Sequence, residues 1–227
     1  MISASRSQPV GDKLIGYPQL CIRTNRTAQR TEMAPIVNMA YEIGKKYPMS
    51  QSKKIIEEVM AALAKKFGSG EFGHTWIIFF NSDKEGDYTS YAFHNNYGFV
   101  KDSQYSSTND RATRDFCHQA CVKINNGYIT PKMLESTIIP ELNKQSSDFA
   151  KMLGMDVKDA SKGVYTPVHN CAWFASNVWN YATKLVYEQN IDFDIDYYAD
   201  SWGMPFLKSF HSISDPGMVA ESLKKME

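Results

Sequence analysis

Apolar residues recur at helical spacing in two early stretches, Glu32 to Lys46 and Ser50 to Phe67; in the second, Ile55, Ile56, Val59, Met60, Leu63 and Phe67 mark one stripe. Gly68 and Gly70 supply a stop and Pro48 separates the two, so the pattern predicts a helical hairpin. The period then changes. Thr75-Trp76-Ile77-Ile78-Phe79-Phe80 is a β-type run, Asn81 to Asp87 is a polar turn, and Tyr88 to His94 is a second β-type run ending at Asn95-Asn96. A β-hairpin is expected there. After a polar loop at 101–111, Ala112 to Ile124 and Pro131 to Leu153 predict helices beside the sheet, the second interrupted at Pro140. The pattern breaks again near Gly163. Cys171 to Tyr187 then carries a buried stripe of Phe174, Ala175, Val178 and Ala182, with Cys171 one turn before Ala175.

Residues 1–30 lack periodicity, contain Pro9 and Pro18, and predict an extended arm over a single domain spanning 31–227. With 25 Lys+Arg against 25 Asp+Glu, nothing points to a polybasic surface for nucleic acid, and none is expected as a partner. The stretch up to Cys21 has no apolar run long enough for a signal peptide, and no segment approaches a bilayer span, so the expectation is a cytoplasmic chain without a transmembrane segment. Cys21, Cys117, Cys121 and Cys171 are too few and too unevenly spaced for a disulfide framework, and free thiols are expected.

Candidate chemistry centres on Cys171. At a helix start, unpaired backbone N–H groups favour a thiolate, with Asn170 as the N-cap, and the Cys171 N–H is placed to donate to a developing oxyanion. The competing reading is a small buried residue on an apolar helix face. His74 follows Gly73 at the head of the first strand, where alternation puts His74, Trp76, Ile78 and Phe80 on one face. A histidine there suits the base of a Cys/His pair. On the next strand Tyr88, Ser90, Ala92 and His94 share a face, so His94 is placed to orient His74, with Asn95, Asn96 and Ser90 competing for that role.

Together, Gly73-His74-Thr75-Trp76-Ile77-Ile78-Phe79, the hairpin to His94, and His169-Asn170-Cys171-Ala172-Trp173-Phe174 resemble the circularly permuted branch of the NlpC-type papain-like cysteine peptidases, whose order, His before Cys, is shared by lecithin-retinol acyltransferase relatives. The resemblance covers two short motifs. It implies an α+β papain-like core in which a small antiparallel sheet packs against the nucleophile helix, with additional helices inserted. It also implies catalytic residues Cys171, His74 and His94, and no cofactor or metal. The implied activity is a cysteine amidase or peptidase cutting peptides of bacterial peptidoglycan. By analogy this would be an effector toxin delivered by a signal-peptide-independent machine such as type VI secretion, with an immunity protein as partner. The alternatives are lipid acyl transfer or phospholipase action, a protease-like effector with a protein target, and a non-catalytic interaction domain.

Other clusters carry less. On a helix Cys117 and Cys121 would face one way and His118 another, with no fourth metal ligand nearby. Asp192, Asp194, Asp196 and Asp200 lack the glycine and terminal Glu of a calcium-binding loop. Cys21, the only cysteine before His74, sits in an unconvincing helix start and is set aside as a nucleophile.

Overall fold

A computed structural model describes residues 7–32, 34–68, 72–125, 129–186 and 214–226. The strands β1 (Gln19–Thr24), β2 (Thr75–Phe80), β3 (Tyr88–His94), β4 (Gly98–Lys101) and β5 (His118–Lys123) form one antiparallel sheet in the order β4-β3-β2-β1-β5. The helices are α1 (Ala34–Gly44), α2 (Ser52–Gly68), the short α3 (Pro131–Met133), α4 (Ile139–Met152), α5 (Cys171–Val186) and α6 (Pro216–Lys224). The architecture is therefore α+β, a small antiparallel sheet with several helices, as expected.

The two faces of the sheet are covered differently. Leu20, Ile22, Ile77, Phe79, Tyr91 and Phe93 point to the main core, where Phe174, Ala175, Val178 and Trp179 of α5 pack on them. Strand alternation sends Cys21, Trp76, Ile78, Phe80 and Ala92 to the opposite face, where Ala112 and Phe116 of the segment before β5 cover them. Both faces are dry, which is why β2 reads as an unbroken apolar run.

The structure corrects three expectations. Within the supposed arm of residues 1–30, β1 lies inside the sheet between β2 and β5, paired Gln19 to Phe80 on one side and Gln19 to Lys123 on the other. The predicted helix over 112–124 is instead a loop leading into β5. Its backbone groups are taken by β1, and Cys117 N–H already donates to Thr24 O at 2.8 Å. The register sets Cys21 directly across from Cys121, and the two form a disulfide rather than free thiols; Cys117 and Cys171 remain free. With Cys121 bonded and the segment extended, the helical arrangement of Cys117, His118 and Cys121 does not exist.

The interruption near Pro140 is real. Proline has no N–H for the helical ladder, and Leu134–Ile138 widens into a π turn in which Ile139 N–H bonds to Leu134 O. The acidic stretch Asp192 to Asp200 and the turn at 202–205 lie outside the described residues.

Candidate active site

The head of β2 is fixed by its neighbours. Gly73 has φ +80°, and a Cβ there would come within 2.9 Å of the Arg26 side chain, so only glycine fits. His74 N–H donates to Asn25 Oδ1 at 2.6 Å, and Asn25 N–H donates back to His74 O at 3.1 Å. Ile77 pairs with Tyr91 and Ile78 with Ser90, and continuing this register sets His74 opposite His94. The two imidazole rings are 4.7 Å apart, and His74 stacks on Trp76 with ring centroids at 5.8 Å.

The two histidines are joined by a residue the sequence pattern left in a polar loop. Asp110 is 1% exposed; its Oδ1 is 2.7 Å from His74 Nε2 and its Oδ2 is 2.7 Å from His94 Nε2. Arg114 Nη1 lies 3.3 Å from the same Oδ1, with its guanidinium 4.7 Å from the centre of the Trp76 ring. The loop aims Asp110 through its own turn chemistry. Asp102 and Ser103 both adopt the left-handed region (φ 51°), Asp102 exchanges hydrogen bonds with the Ser90 backbone, and Ser103 Oγ accepts from Asp110 N–H at 2.7 Å. His94 is thus held to the carboxylate and faces His74 without hydrogen bonding to it. Of the competing candidates, Asn95 and Asn96 are exposed in the turn after β3, and Ser90 is buried in β3.

Electrostatics gives each group a charge state. Burial lowers the His74 pKa to about 4 despite the opposing pull of Asp110. Burial would raise the Asp110 carboxyl, but charge and hydrogen bonds from the two histidines hold it well below the usual carboxylate range. At neutral pH an ionised Asp110 therefore accepts from a neutral His74 through Nε2–H. That fixes the tautomer, because the lone pair then resides on Nδ1.

Cys171 approaches from the helix-covered side. Asn170 is the N-cap: its Oδ1 accepts from the N–H groups of Ala172 (2.9 Å) and Trp173 (3.2 Å), while its Nδ2 donates to Ser214 O at 2.6 Å. The Cys171 thiol is 3% exposed and receives the Tyr165 hydroxyl at 4.0 Å. Burial pushes its pKa up to about 11; the backbone N–H groups of Thr75 and Ala172 and the Tyr165 hydroxyl pull the other way, and Asp110 adds to the rise. The expected depression by the helix start is present but loses to desolvation. Among the described residues Cys171 and His74 make no hydrogen bond. The Thr75 amide, one residue along β2 from His74, serves the thiol. Burial lowers the Arg114 pKa, and Asp110 and a thiolate at Cys171 oppose that shift.

His74, His94 and Asp110 offer ligand atoms within 4.8 Å of one another, the one such group among the described residues that could hold a metal ion. The carboxylate, however, already accepts from both rings, and Arg114 sets a fixed positive charge beside it, which opposes a dication. Asp110, Arg114 and Tyr165 are the site residues that sequence reasoning missed. A loop acid has no periodicity to betray it, and only the His74–His94 pairing on adjacent strands signals that a shared partner is needed.

No family model, curated protein or solved structure matches the chain. No described helix is long and apolar enough to cross a membrane.

Proposed function

We propose that the protein is a cysteine hydrolase acting on amides, with Cys171 as nucleophile and His74 as general base. The observation that carries this reading is the convergence at the head of β2. A capped helix start bearing a thiol abuts Thr75, and the adjoining His74 has its tautomer set by a buried carboxylate. With Nε2–H committed to Asp110, His74 Nδ1 is the atom that takes the thiol proton. A thiol near 11 and an imidazole near 4 do not form a resting ion pair, so proton transfer accompanies carbon–sulfur bond formation. The carbon–nitrogen bond then breaks as the imidazolium returns the proton to the leaving amine, and water activated by His74 hydrolyses the thioester. The Cys171 N–H and the Tyr165 hydroxyl supply donors for the oxyanion. His94 and Arg114 hold Asp110 in place, which makes them positioning residues.

The papain-like assignment, a peptidoglycan peptide as substrate, and delivery as an antibacterial effector with an immunity partner belong to this proposal through the two sequence motifs alone. One observation favours a second reading: the raised pKa of Cys171 is what an inert buried thiol shows, and a non-catalytic interaction domain would have it. Wild type, Cys171→Ala and His74→Ala incubated with peptidoglycan sacculi, with fragments read by mass spectrometry, separate the two. Fragments from wild type only support the hydrolase, and lipid products from parallel phospholipid vesicles would redirect it to acyl chemistry. Silence in both, with a Cys171 no more reactive than an ordinary thiol, favours the non-catalytic domain.

A further inference from the structure

We propose that the cleft between the β3–β4 turn and the segment after α4 is a recognition subsite for a neutral saccharide ring carried by the substrate. As a substrate subsite it rests on the hydrolase reading; as a binding site it stands alone. The cleft measures about 460 Å³ and is bordered by residues next to the candidate active site. Tyr165, whose hydroxyl reaches Cys171, lines it, and so does the turn that leaves His94 through Asn95 and Asn96, closed by Tyr97 N–H to His94 O at 3.2 Å.

Its wall is a built aromatic platform. Tyr97 and Tyr105 stack with ring centroids 4.0 Å apart and planes within 8°. Each hydroxyl is tied at its edge, Tyr97 to Ser107 Oγ at 2.8 Å and Tyr105 to Lys162 Nζ at 3.4 Å, so the rings are held before any ligand arrives. The far wall is held close by glycine: a Cβ at Gly98 would sit 2.3 Å from Lys162 O, and one at Gly163 would sit 2.9 Å from the Phe93 ring.

The lining chemistry selects the ligand class. Its charged residues are Asp156, Asp159, Lys158 and Lys162, which cancel, so neither a polyanion nor a polycation is favoured. What remains is the stacked tyrosine pair with the amides of Asn95 and Asn96 beside it. A sugar ring matches that pairing, with C–H bonds on one face and hydroxyls around its rim.

The test is calorimetric titration of the full chain, as wild type and as Cys171→Ala, with chitotriose and cellotriose as neutral probes and with pentaalanine and a heparin hexasaccharide as competitors for the assignment. The expected result is binding of at least one trisaccharide, equal in the two proteins and weakened roughly tenfold in Tyr97→Ala and Tyr105→Ala. Tyr97→Phe and Tyr105→Phe, which keep the platform, guard against misfolding and should retain most of the affinity. Absence of trisaccharide binding, binding indifferent to both alanine variants, or a platform-dependent preference for pentaalanine or heparin overturns the proposal. With the sacculus digestion run beside the titration, trisaccharide binding without Cys171-dependent amide cleavage sinks the hydrolase reading and leaves the recognition site standing, while cleavage without trisaccharide binding does the reverse.

Discussion

Two half-buried histidines, His169 and His74, differ in one respect. His169 sits in an aromatic box, edge-on to Phe149 and Trp173 at 4.8 and 4.4 Å, and burial lowers its pKa to about 4. Its Nδ1 is buried with no hydrogen-bond partner among the described residues. His74 is lowered to the same value for the same reason, yet its Nε2 is paired with Asp110. A perturbed pKa is therefore shared by a packing histidine and a candidate base. What separates them is a partner that chooses which nitrogen keeps the lone pair, a criterion of geometry rather than of burial.

The comparison can be broken most forcefully at the carboxylate. Asp110→Ala leaves two imidazoles and the Arg114 guanidinium around an empty position, and breaking a buried pair of this kind costs about 3–5 kcal/mol. A denaturant midpoint no lower than that of His169→Phe would remove Asp110 from the centre of the arrangement. In an amide-release assay, His74→Ala should lower the rate by roughly 10²–10⁴-fold, the usual worth of a general base, whereas His169→Phe should leave it nearly unchanged. Equal losses would mean that both histidines act through packing.

Acid sharpens the contrast further. Both histidines have folded-state pKa values near 4 against 6.5 when free, so the unfolded chain binds more protons between those limits and stability rises with pH there. Urea midpoints should therefore fall as pH drops from about 6.5 towards 4, and His169→Phe should flatten that slope only in part, leaving the share of His74. The smallest effect belongs to Tyr165→Phe. Its hydroxyl favours the thiolate, so its removal should slow iodoacetamide alkylation of Cys171 by a few-fold at fixed pH, and unchanged or faster labelling would contradict the contact.

The contrast between legible and hidden parts has a physical basis. The hairpin of β2 and β3 was readable because both sheet faces are dry and β2 is apolar throughout, and the helix from Cys171 because one side chain in three to four faces the core. Residues 19–24 were not, because β1 is central yet carries polar Gln19, Arg23 and Thr24, all fully buried. The Arg23 guanidinium is satisfied by Gln119 Oε1, Ala112 O and Gln8 O at 2.7–2.8 Å and lies over Phe116. No local pattern announces such remote partners. The strand β5 failed for a related reason: its pairing with β1, not its own periodicity, makes it extended. At the site, His74, His94 and Cys171 stood out by residue type and position, while Asp110 depended on loop turns closed by Ser90 and Ser103.

The place of β1 has a consequence for how the molecule comes into being. Its neighbours β2 and β5 arrive later in the chain, and Cys121 follows Cys21 by 100 residues. A ribosome would thus release this strand long before either partner exists, and its apolar side chains would wait unpaired until the sheet closes around it. Contacts so distant make assembly slow and cooperative, and expose the nascent chain to aggregation. Folding yield during expression should consequently depend more on chaperones and oxidant supplied at completion of the chain than on the early helical hairpin.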